Sequence, residues 1–259
     1  MMYDIQKASM GKRISAFLFD IIIFSIIAVG VATVFSAIFG YGKIYDEFDG
    51  FLNEYQEKYE EEYGIDFDIS ESDYEALSEE DKAKYDEANE AIFKEEDLQR
   101  TYSLLVNLSI VMVSLSVLVA ILVVELAIPL IFKNGQTLGK KIFGIALVRS
   151  DSVKVTPLFL FIRSVLGKFT IETMAPIMII FMIFFADAGI FGTISIVLLL
   201  VCNLIAMIAT QNHSLIHDLL ANTVVVDMAT QMIFDTPEEM MEYKKRVHAE
   251  AAERAKTTY

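Results

Sequence analysis

Three polar side chains interrupt apolar stretches of the chain at similar distances from the stretch ends. Asp20, Glu125 and Asn203 each lie seven residues from one end, which is about 10 Å at 1.5 Å per residue along a helix. Ionisable residues inside a membrane mostly face the interior of a helix bundle and mark ion or proton paths. The spacing therefore predicts an intramembrane polar cluster with the chemistry to exchange a small cation for a proton.

A structural role for the same residues is the alternative. Asp20 is also placed to hydrogen-bond a neighbouring helix, or to act as a protonated contact between packed helices. We keep both interpretations, transport and structure, as equal alternatives at this point.

Four long apolar stretches carry these residues and define the class of protein. They cover about residues 14–39, 102–132, 171–185 and 190–209. A bilayer core about 30 Å thick requires roughly 20 apolar residues in a helix, a length that the third stretch reaches only with part of 157–170. With 54% hydrophobic residues, the chain is too apolar for an ordinary soluble domain. Since lipid offers no partner to an unpaired amide, we expect four membrane-spanning helices.

The charge of the chain is concentrated in one segment. Residues 41–100 hold 22 acidic and six basic residues, while the whole chain has a net charge of −15. Basic residues cluster before the first stretch, between the second and third stretches, and in the C-terminal tail. Because short cytoplasmic loops are rich in Lys and Arg, we expect both termini and the central loop inside the cell and the acidic segment outside.

The acidic segment has the pattern of a helical hairpin. Gly64 is placed to end its first helix, and Ser78 is a suitable N-cap for its second. A loose apolar stripe at helical spacing follows, formed by Leu77, Tyr85, Ala88, Ile92 and Leu98. We expect the second helix to continue directly into the second membrane span.

Motifs for enzymatic or metal chemistry are weak in this sequence. Gly135–Lys141 is one residue short of a phosphate-binding loop, and the segment from Asp66 to Asp73 lacks the glycine and glutamate of a calcium loop. His213 and His217 are spaced as a metal-ligand pair, but no further ligand accompanies them. The sequence predicts no enzyme, no metal site and no cofactor.

Three separate pieces of the chain resemble the RDD family of membrane proteins, named for one arginine and two aspartates. In "GKRISAFLFDIII", Arg13 begins the first span and Asp20 lies in its middle; in "NHSLIHDLLANTVVV", Asp218 matches the second aspartate. The third piece is the central loop, in which Gly135, Gln136, Thr137, Gly139, Lys140, Gly144, Thr156, Pro157 and Arg163 stand in familiar places. The resemblance covers roughly residues 8–40 and 102–227 and leaves out the acidic insert.

The resemblance implies a multi-pass membrane protein for which transport has been proposed, in some relatives as sodium/proton exchange. Arg13 and Asp218 both belong at the cytoplasmic boundary of the membrane. We therefore predict a salt bridge between the first helix and the segment that follows the fourth.

The central loop gives two further predictions. The stretch from Lys141 to Val155 alternates enough to form a small strand hairpin packed under the bundle. Thr156 and Pro157 begin a helix, for which we expect an amphipathic course along the inner interface. Its predicted apolar face consists of Leu158, Phe161, Ile162, Val165 and Phe169, with Arg163 and Lys168 elsewhere on the helix.

Together these patterns predict an all-α integral membrane protein. It has a four-transmembrane-helix bundle, an extracytoplasmic acidic helical hairpin and an interfacial amphipathic helix. The expected segments are 1–40 with the first helix, 41–100 as the acidic insert, 101–227 with the other three helices, and 228–259 as a cytoplasmic tail. The location is the plasma membrane.

Two functions fit this architecture. The first is transport of a small cation in exchange for protons, or of another solute. The second is a non-transporting anchor whose acidic hairpin binds an extracytoplasmic protein partner. The expected partners are the lipid bilayer, a cation or proton, and a second copy of the chain or an outer protein, with no nucleic acid.

Overall fold

The protein is mostly helical, with one small sheet. A computed structural model describes residues 5–185, 189–210 and 214–257. Its α-helices are α1 (Met10–Phe39), α2 (Tyr41–Tyr63), α3 (Glu71–Ala76), α4 (Glu79–Ile92), α5 (Glu96–Ile121), α6 (Ile128–Phe132), α7 (Leu138–Ile142), α8 (Pro157–Phe161), α9 (Ala175–Phe185), α10 (Gly189–Ala209), α11 (Ile216–Leu220) and α12 (Pro237–Thr257). The strands are β1 (Ile145–Arg149) and β2 (Thr223–Asp227).

In the part of the chain that the structure describes, two helical stretches have π geometry, in which hydrogen bonds join residues five apart. The first π segment, Leu122–Ala127, connects α5 to α6, and the second π segment, Ile162–Met174, connects α8 to α9. The Thr170 and Thr173 hydroxyls in the second segment donate to the carbonyls of Val165 and Lys168, five residues earlier. These side-chain bonds match the wider spacing of a π-helix.

Within the described residues, four helical runs are long and apolar enough to cross a membrane. They are Met10–Phe39, Glu96–Phe132, Pro157–Ile183 and Ile190–Ala209. The predicted positions of all four apolar stretches are therefore confirmed, and the third does extend back to Pro157. The protein is a multi-pass membrane protein.

The chain forms two compact units. The larger unit consists of residues 1–29 and 117–259, and the smaller unit consists of residues 30–116. The smaller unit contains the whole acidic segment, and the larger unit contains the sheet and the buried charged residues of the candidate site.

In the smaller unit, the predicted end of the first helix and the predicted start of the second are confirmed. Gly64 ends α2 in the left-handed conformation at φ 67°, and the Ser78 hydroxyl accepts a hydrogen bond from the amide of Asp81 at the start of α4. Ala88, Ile92 and Leu98 from the predicted stripe are fully buried. The expected continuous helix is wrong, because residues 93–95 separate α4 from α5.

The small sheet differs from the predicted hairpin. β1 pairs antiparallel with β2, with Leu147 opposite Val225, and the hairpin partner within the loop is reduced to one bridge between Val148 and Lys154. The N-terminal segment joins the far side of β2, where the amide of Ala8 donates to the Val225 carbonyl at 3.1 Å. A buried apolar cluster forms around these strands, consisting of Ala8, Ala16, Ile145, Leu147, Leu160 and Val225.

The third span also differs from the expected amphipathic helix. α8, the second π segment and α9 form one uninterrupted helical run. Leu158 and Phe161 of the predicted apolar face are 64% and 45% exposed, whereas Arg163 is buried. In a membrane-spanning helix the surrounding lipid covers the apolar face, so the charged face is the one that packs against the protein.

A candidate functional site built from buried ion pairs

Arg163 lies at the centre of a buried network of charged side chains in the larger unit. Its side chain is 4% exposed. Nε donates to Asp218 Oδ1 at 2.8 Å, and Nη1 donates to Glu125 Oε2 at 2.9 Å. Nη2 lies 3.0 Å from His217 Nε2. One guanidinium therefore joins the second span, the third span and α11.

Glu125 receives more cations than any other carboxylate in the network. Lys168 from the third span donates to its Oε1, and Lys140 Nζ lies 3.7 Å from Oε2. The Ser164 hydroxyl donates to the Glu125 backbone carbonyl at 2.8 Å. Because removing a charge from water is costly unless it is paired, these contacts are what permit Glu125 to be buried inside an apolar span.

His217 is held in one tautomer by its neighbours. A guanidinium only donates hydrogen bonds, so His217 Nε2 accepts from Arg163 and the ring proton lies on Nδ1. That nitrogen donates to Glu172 Oε2 at 2.7 Å, while the backbone amide of His217 donates to Glu172 Oε1 at 3.1 Å. Burial lowers the pKa of His217 below its ordinary value of 6.5, in agreement with a neutral ring.

Asp218 and Lys140 have shifted pKa values for different reasons. Burial acts to raise the pKa of Asp218, but the adjacent Arg163 guanidinium and the hydrogen bonds to the carboxylate together outweigh it and hold that pKa far below its ordinary value of 3.8. The Thr223 hydroxyl adds a hydrogen bond to Asp218 Oδ1 at 2.9 Å. Burial lowers the pKa of Lys140 to about 8, against the opposing attraction of Glu125.

Asp20 fixes the central loop to the first span. Its Oδ1 accepts from the amide of Gly139 at 2.8 Å, and its Oδ2 accepts from the Thr137 hydroxyl. The same hydroxyl accepts from the Lys140 amide at 3.2 Å, as an N-cap of α7. Asp20 is 6% exposed, so its carboxylate replaces water as the partner of these loop donors.

Two glycines allow the close approaches on which the network depends. A Cβ atom at Gly139 would lie 2.3 Å from the Ala16 carbonyl oxygen, and one at Gly167 would lie 2.5 Å from His217 Cβ. Both distances are shorter than any real contact. Gly139 thus brings α7 against α1, and Gly167 brings the third span against α11.

The second π segment places the charges of the third span on one face. On an α-helix, with about 100° per residue, Lys168 would lie about 140° and Glu172 about 180° from Arg163. With roughly 4.4 residues per turn, a π-helix reduces these angles to about 50° and about 20°. All three side chains therefore reach partners in the same network.

The predicted pair of Arg13 and Asp218 is wrong. The ion-pair partner of Asp218 in the described structure is Arg163, at 2.8 Å. Arg13 is half-buried and feels the attraction of Asp218 without forming a bridge to it. Arg163 reaches Asp218 because α11, which carries Asp218, packs directly on the third span, which carries Arg163.

The predicted intramembrane cluster is met in part. Lys140 Nζ lies 3.7 Å from Glu125 Oε2 and 3.4 Å from the Thr137 hydroxyl, and that hydroxyl donates to Asp20. Asn203 does not join them: its amide nitrogen donates to the Leu199 carbonyl, and its Oδ1 has no partner among the described residues.

The remaining loop residues have structural roles close to the network. Gly135 has φ 62°, and a Cβ there would lie 2.7 Å from Val155. Gln136 donates to the Ile145 carbonyl at 2.9 Å, and Gly144 has φ 65° just before β1. These residues set the path of the loop so that Thr137, Gly139 and Lys140 meet their partners.

Several members of the network were not singled out as site residues by sequence reasoning. They are Ser164, Gly167, Lys168, Glu172, His217 and Thr223. The available signal was the presence of Lys168 and Glu172 in a span, since charges there are costly without partners. Of the two histidines considered as metal ligands, His213 lies outside the described residues, and within those residues no group of three or more His, Cys, Asp or Glu side chains is arranged to hold a metal ion.

Comparison with known proteins identifies the family of this chain. A sequence model described as the RDD family matches residues 7–222, which is most of the chain and includes Asp20, the central loop, Arg163 and Asp218. Curated proteins and solved structures give no match. The chain belongs to the RDD family of multi-pass membrane proteins.

Proposed function

We propose that the protein is a non-transporting membrane scaffold, in which the ion-pair network locks the spans together and the acidic segment binds an extracytoplasmic partner. The supporting observation is that each carboxylate of the network has two donors. Asp20 has Thr137 and Gly139, and Glu172 has the ring and the backbone amide of His217. A transported cation would have to displace these donors.

The other two carboxylates are matched by cations. Glu125 is bonded by Arg163 and Lys168, and Asp218 by Arg163 and Thr223. Buried ion pairs of this kind favour one arrangement of the helices, because separating them leaves charges without partners. The scaffold carries no catalytic reaction in this proposal.

The proposed topology follows from the basic residues. The protein is a four-helix bundle in the plasma membrane, with both termini and the central loop on the cytoplasmic side. The first turn of α8 lies at the inner interface, and the acidic hairpin lies outside the cell. The smaller unit offers a partner a cleft of about 620 Å³ with four polar residues and an exposed aromatic ring, lined by Asp86, Glu87, Asn89, Glu90 and Phe93.

A cysteine-labelling experiment tests this topology. Cys202 is the only cysteine in the sequence. In a Cys202→Ser background, we expect a membrane-impermeant maleimide to label Ser72→Cys on intact cells and to label Ala249→Cys only after lysis. The reverse pattern, or labelling of both on intact cells, contradicts the topology.

Cation/proton exchange is the second candidate function, favoured by Lys140. This buried lysine lies 3.7 Å from Glu125 and in the field of Asp20, and its pKa of about 8 permits it to release a proton near neutral pH. A cation entering between the two carboxylates would replace the charge that Lys140 loses.

Flux measurements separate the two functions. Purified protein in liposomes is tested for sodium- and potassium-driven proton movement, with wild type, Asp20→Asn and the control Asn203→Leu, which changes a polar residue outside the network. The scaffold proposal expects no flux from any of the three. Flux in wild type and Asn203→Leu that is lost in Asp20→Asn supports exchange instead.

Partner binding is tested separately by site-specific photo-crosslinking in cells. A crosslinking residue at Phe93, which is 45% exposed, is compared with one at Met241, which is 56% exposed in α12. We expect one defined adduct from position 93 and none of the same mass from position 241. Failure to form any adduct at position 93 or at neighbouring positions 86, 87 and 90 contradicts the scaffold proposal.

A further inference from the structure

The end of the second span presents a surface that combines exposed apolar side chains with exposed cations. We call it the interface patch and define it as Ile131, Phe132, Lys133, Lys141 and Ile142. Ile131 is 72% exposed and Ile142 is 60% exposed, and both lysines are exposed. Water is a poor solvent for two isoleucines this open, and a protein core does not cover them.

One lysine of the patch, Lys141, is held in place by the buried network. Asp20 fixes the turn before it through Thr137 and Gly139. As a result, α7 directs Lys140 inward, where it is 7% exposed, and leaves Lys141 and Ile142 exposed. The patch therefore joins the end of the second span to the exposed side of a fixed loop.

A cation–π contact sets the position of one charge. Lys141 Nζ lies 3.8 Å from the centre of the Phe132 ring. The ammonium therefore stays beside the last residue of the span, at the level where the apolar core of a bilayer gives way to headgroups. Lys133 follows Phe132 directly and adds a second cation at the same level.

We propose that the interface patch binds an anionic phospholipid, with its phosphate between Lys133 and Lys141 and its acyl chain along Ile131 and Ile142. The patch matches that ligand in both parts, since lipid headgroups supply the negative charge and hydrocarbon covers the isoleucines. An acidic peptide would satisfy the lysines but would leave the end of a membrane span facing water. The inference does not depend on the scaffold function or on which side of the membrane the patch faces.

Native mass spectrometry of the delipidated full-length protein tests the proposal. Phosphatidylglycerol and phosphatidylcholine are titrated separately, and inorganic phosphate is added as a competitor. We expect phosphatidylglycerol to bind more tightly than phosphatidylcholine. Lys133→Gln and Lys141→Gln should each weaken phosphatidylglycerol binding about five-fold. Phosphatidylcholine binding should not change. Lys141→Arg should retain binding, because it keeps the charge near Phe132.

The matched control is Lys244→Gln with Lys245→Gln, which removes two exposed cations from α12 and should have no effect. Ile142→Ser should weaken phosphatidylglycerol binding without changing the charge of the patch. Equal affinity for the two lipids, or unchanged phosphatidylglycerol binding in the Lys133→Gln, Lys141→Gln double variant, overturns the proposal. Full competition by millimolar phosphate also overturns it, because the site would then be one for free phosphate.

Discussion

The two units of the protein use charge in opposite ways. In the larger unit, Arg163 and Asp218 have side chains that are 4% and 2% exposed. In the smaller unit, Lys94 and Glu90 form an ion pair at 3.2 Å with side chains that are 67% and 73% exposed. Ion pairs of similar length therefore contribute differently to stability, because only the buried groups have lost their water.

Glycines differ between the units in the same way. Gly139 and Gly167 have no room for a Cβ atom, whereas Gly42 and Gly50 in α2 have nothing within 4 Å. The larger unit is therefore held by close backbone approaches around charged groups. The smaller unit is held by helices whose surfaces tolerate change.

The largest effect is expected from a substitution at the centre of the buried network. Arg163→Met leaves Glu125 and Asp218 without their shared cation, and we expect a loss of about 3–5 kcal/mol in the free energy of unfolding. Denaturant titration in micelles measures it. Lys94→Met is the matched change in the smaller unit and should have no measurable effect. Equal effects of the two changes would contradict the contrast between buried and exposed pairs.

The next effect comes from the glycines. Gly139→Ala forces a methyl group against the Ala16 carbonyl, and we expect a cost of about 1–3 kcal/mol. Gly50→Ala, in an open part of α2, should stabilise the protein by about 1 kcal/mol, because alanine favours a helix. Thermal unfolding in detergent compares them, and a stabilising Gly139→Ala would show that the approach of α7 to α1 is looser than described.

Acid is expected to weaken the larger unit. His217 has a pKa below 6.5 in the folded protein, so the unfolded chain binds its proton first as the pH falls. The contribution is complete above pH 6.5, and unfolding free energy falls by up to about 1.4 kcal/mol per pH unit as the pH drops toward the folded pKa. Unfolding between pH 7.5 and 5 measures this, and His217→Gln should flatten the profile. An unchanged profile in His217→Gln would exclude this residue as the cause.

The smallest effect is that of a single neutral donor. Ser164→Ala removes the buried hydrogen bond to the Glu125 carbonyl, and we expect a cost of about 0.5–1.5 kcal/mol. Ser109→Ala, which loses a longer bond of 3.2 Å to the Tyr41 hydroxyl, should cost less. Denaturant titration again compares the two, and a larger cost for Ser109 would reverse the proposed ranking of the units.

The sequence predicts best what depends on local composition. The spans follow from runs of apolar residues, and Gly64 and Ser78 act at helix ends through their own backbone and side-chain chemistry. The role of Asp20 as a buried polar residue was also accessible, because a carboxylate in an apolar span needs a partner.

What the sequence does not predict depends on helix phase and on distant partners. Sequence reasoning paired Asp218 with Arg13 because both belong at the cytoplasmic boundary. On an α-helical repeat, Lys168 and Glu172 would lie far from Arg163. The π geometry of Ile162–Met174 changes that phase, and nothing in the local composition indicates it. Likewise, β1 lies within the loop segment predicted to form strands, but its partner β2 lies beyond two spans.

The pairing of β2 with both β1 and the N-terminal segment has a consequence for biogenesis. Residues 6–8, 145–149 and 223–227 come together only after the ribosome has delivered the last of them. The first two therefore wait, with their strand edges uncovered, while the later spans enter the membrane, and contacts between such distant segments form slowly. A nascent chain halted before residue 223 keeps its inserted helices but exposes an open edge to quality-control proteases.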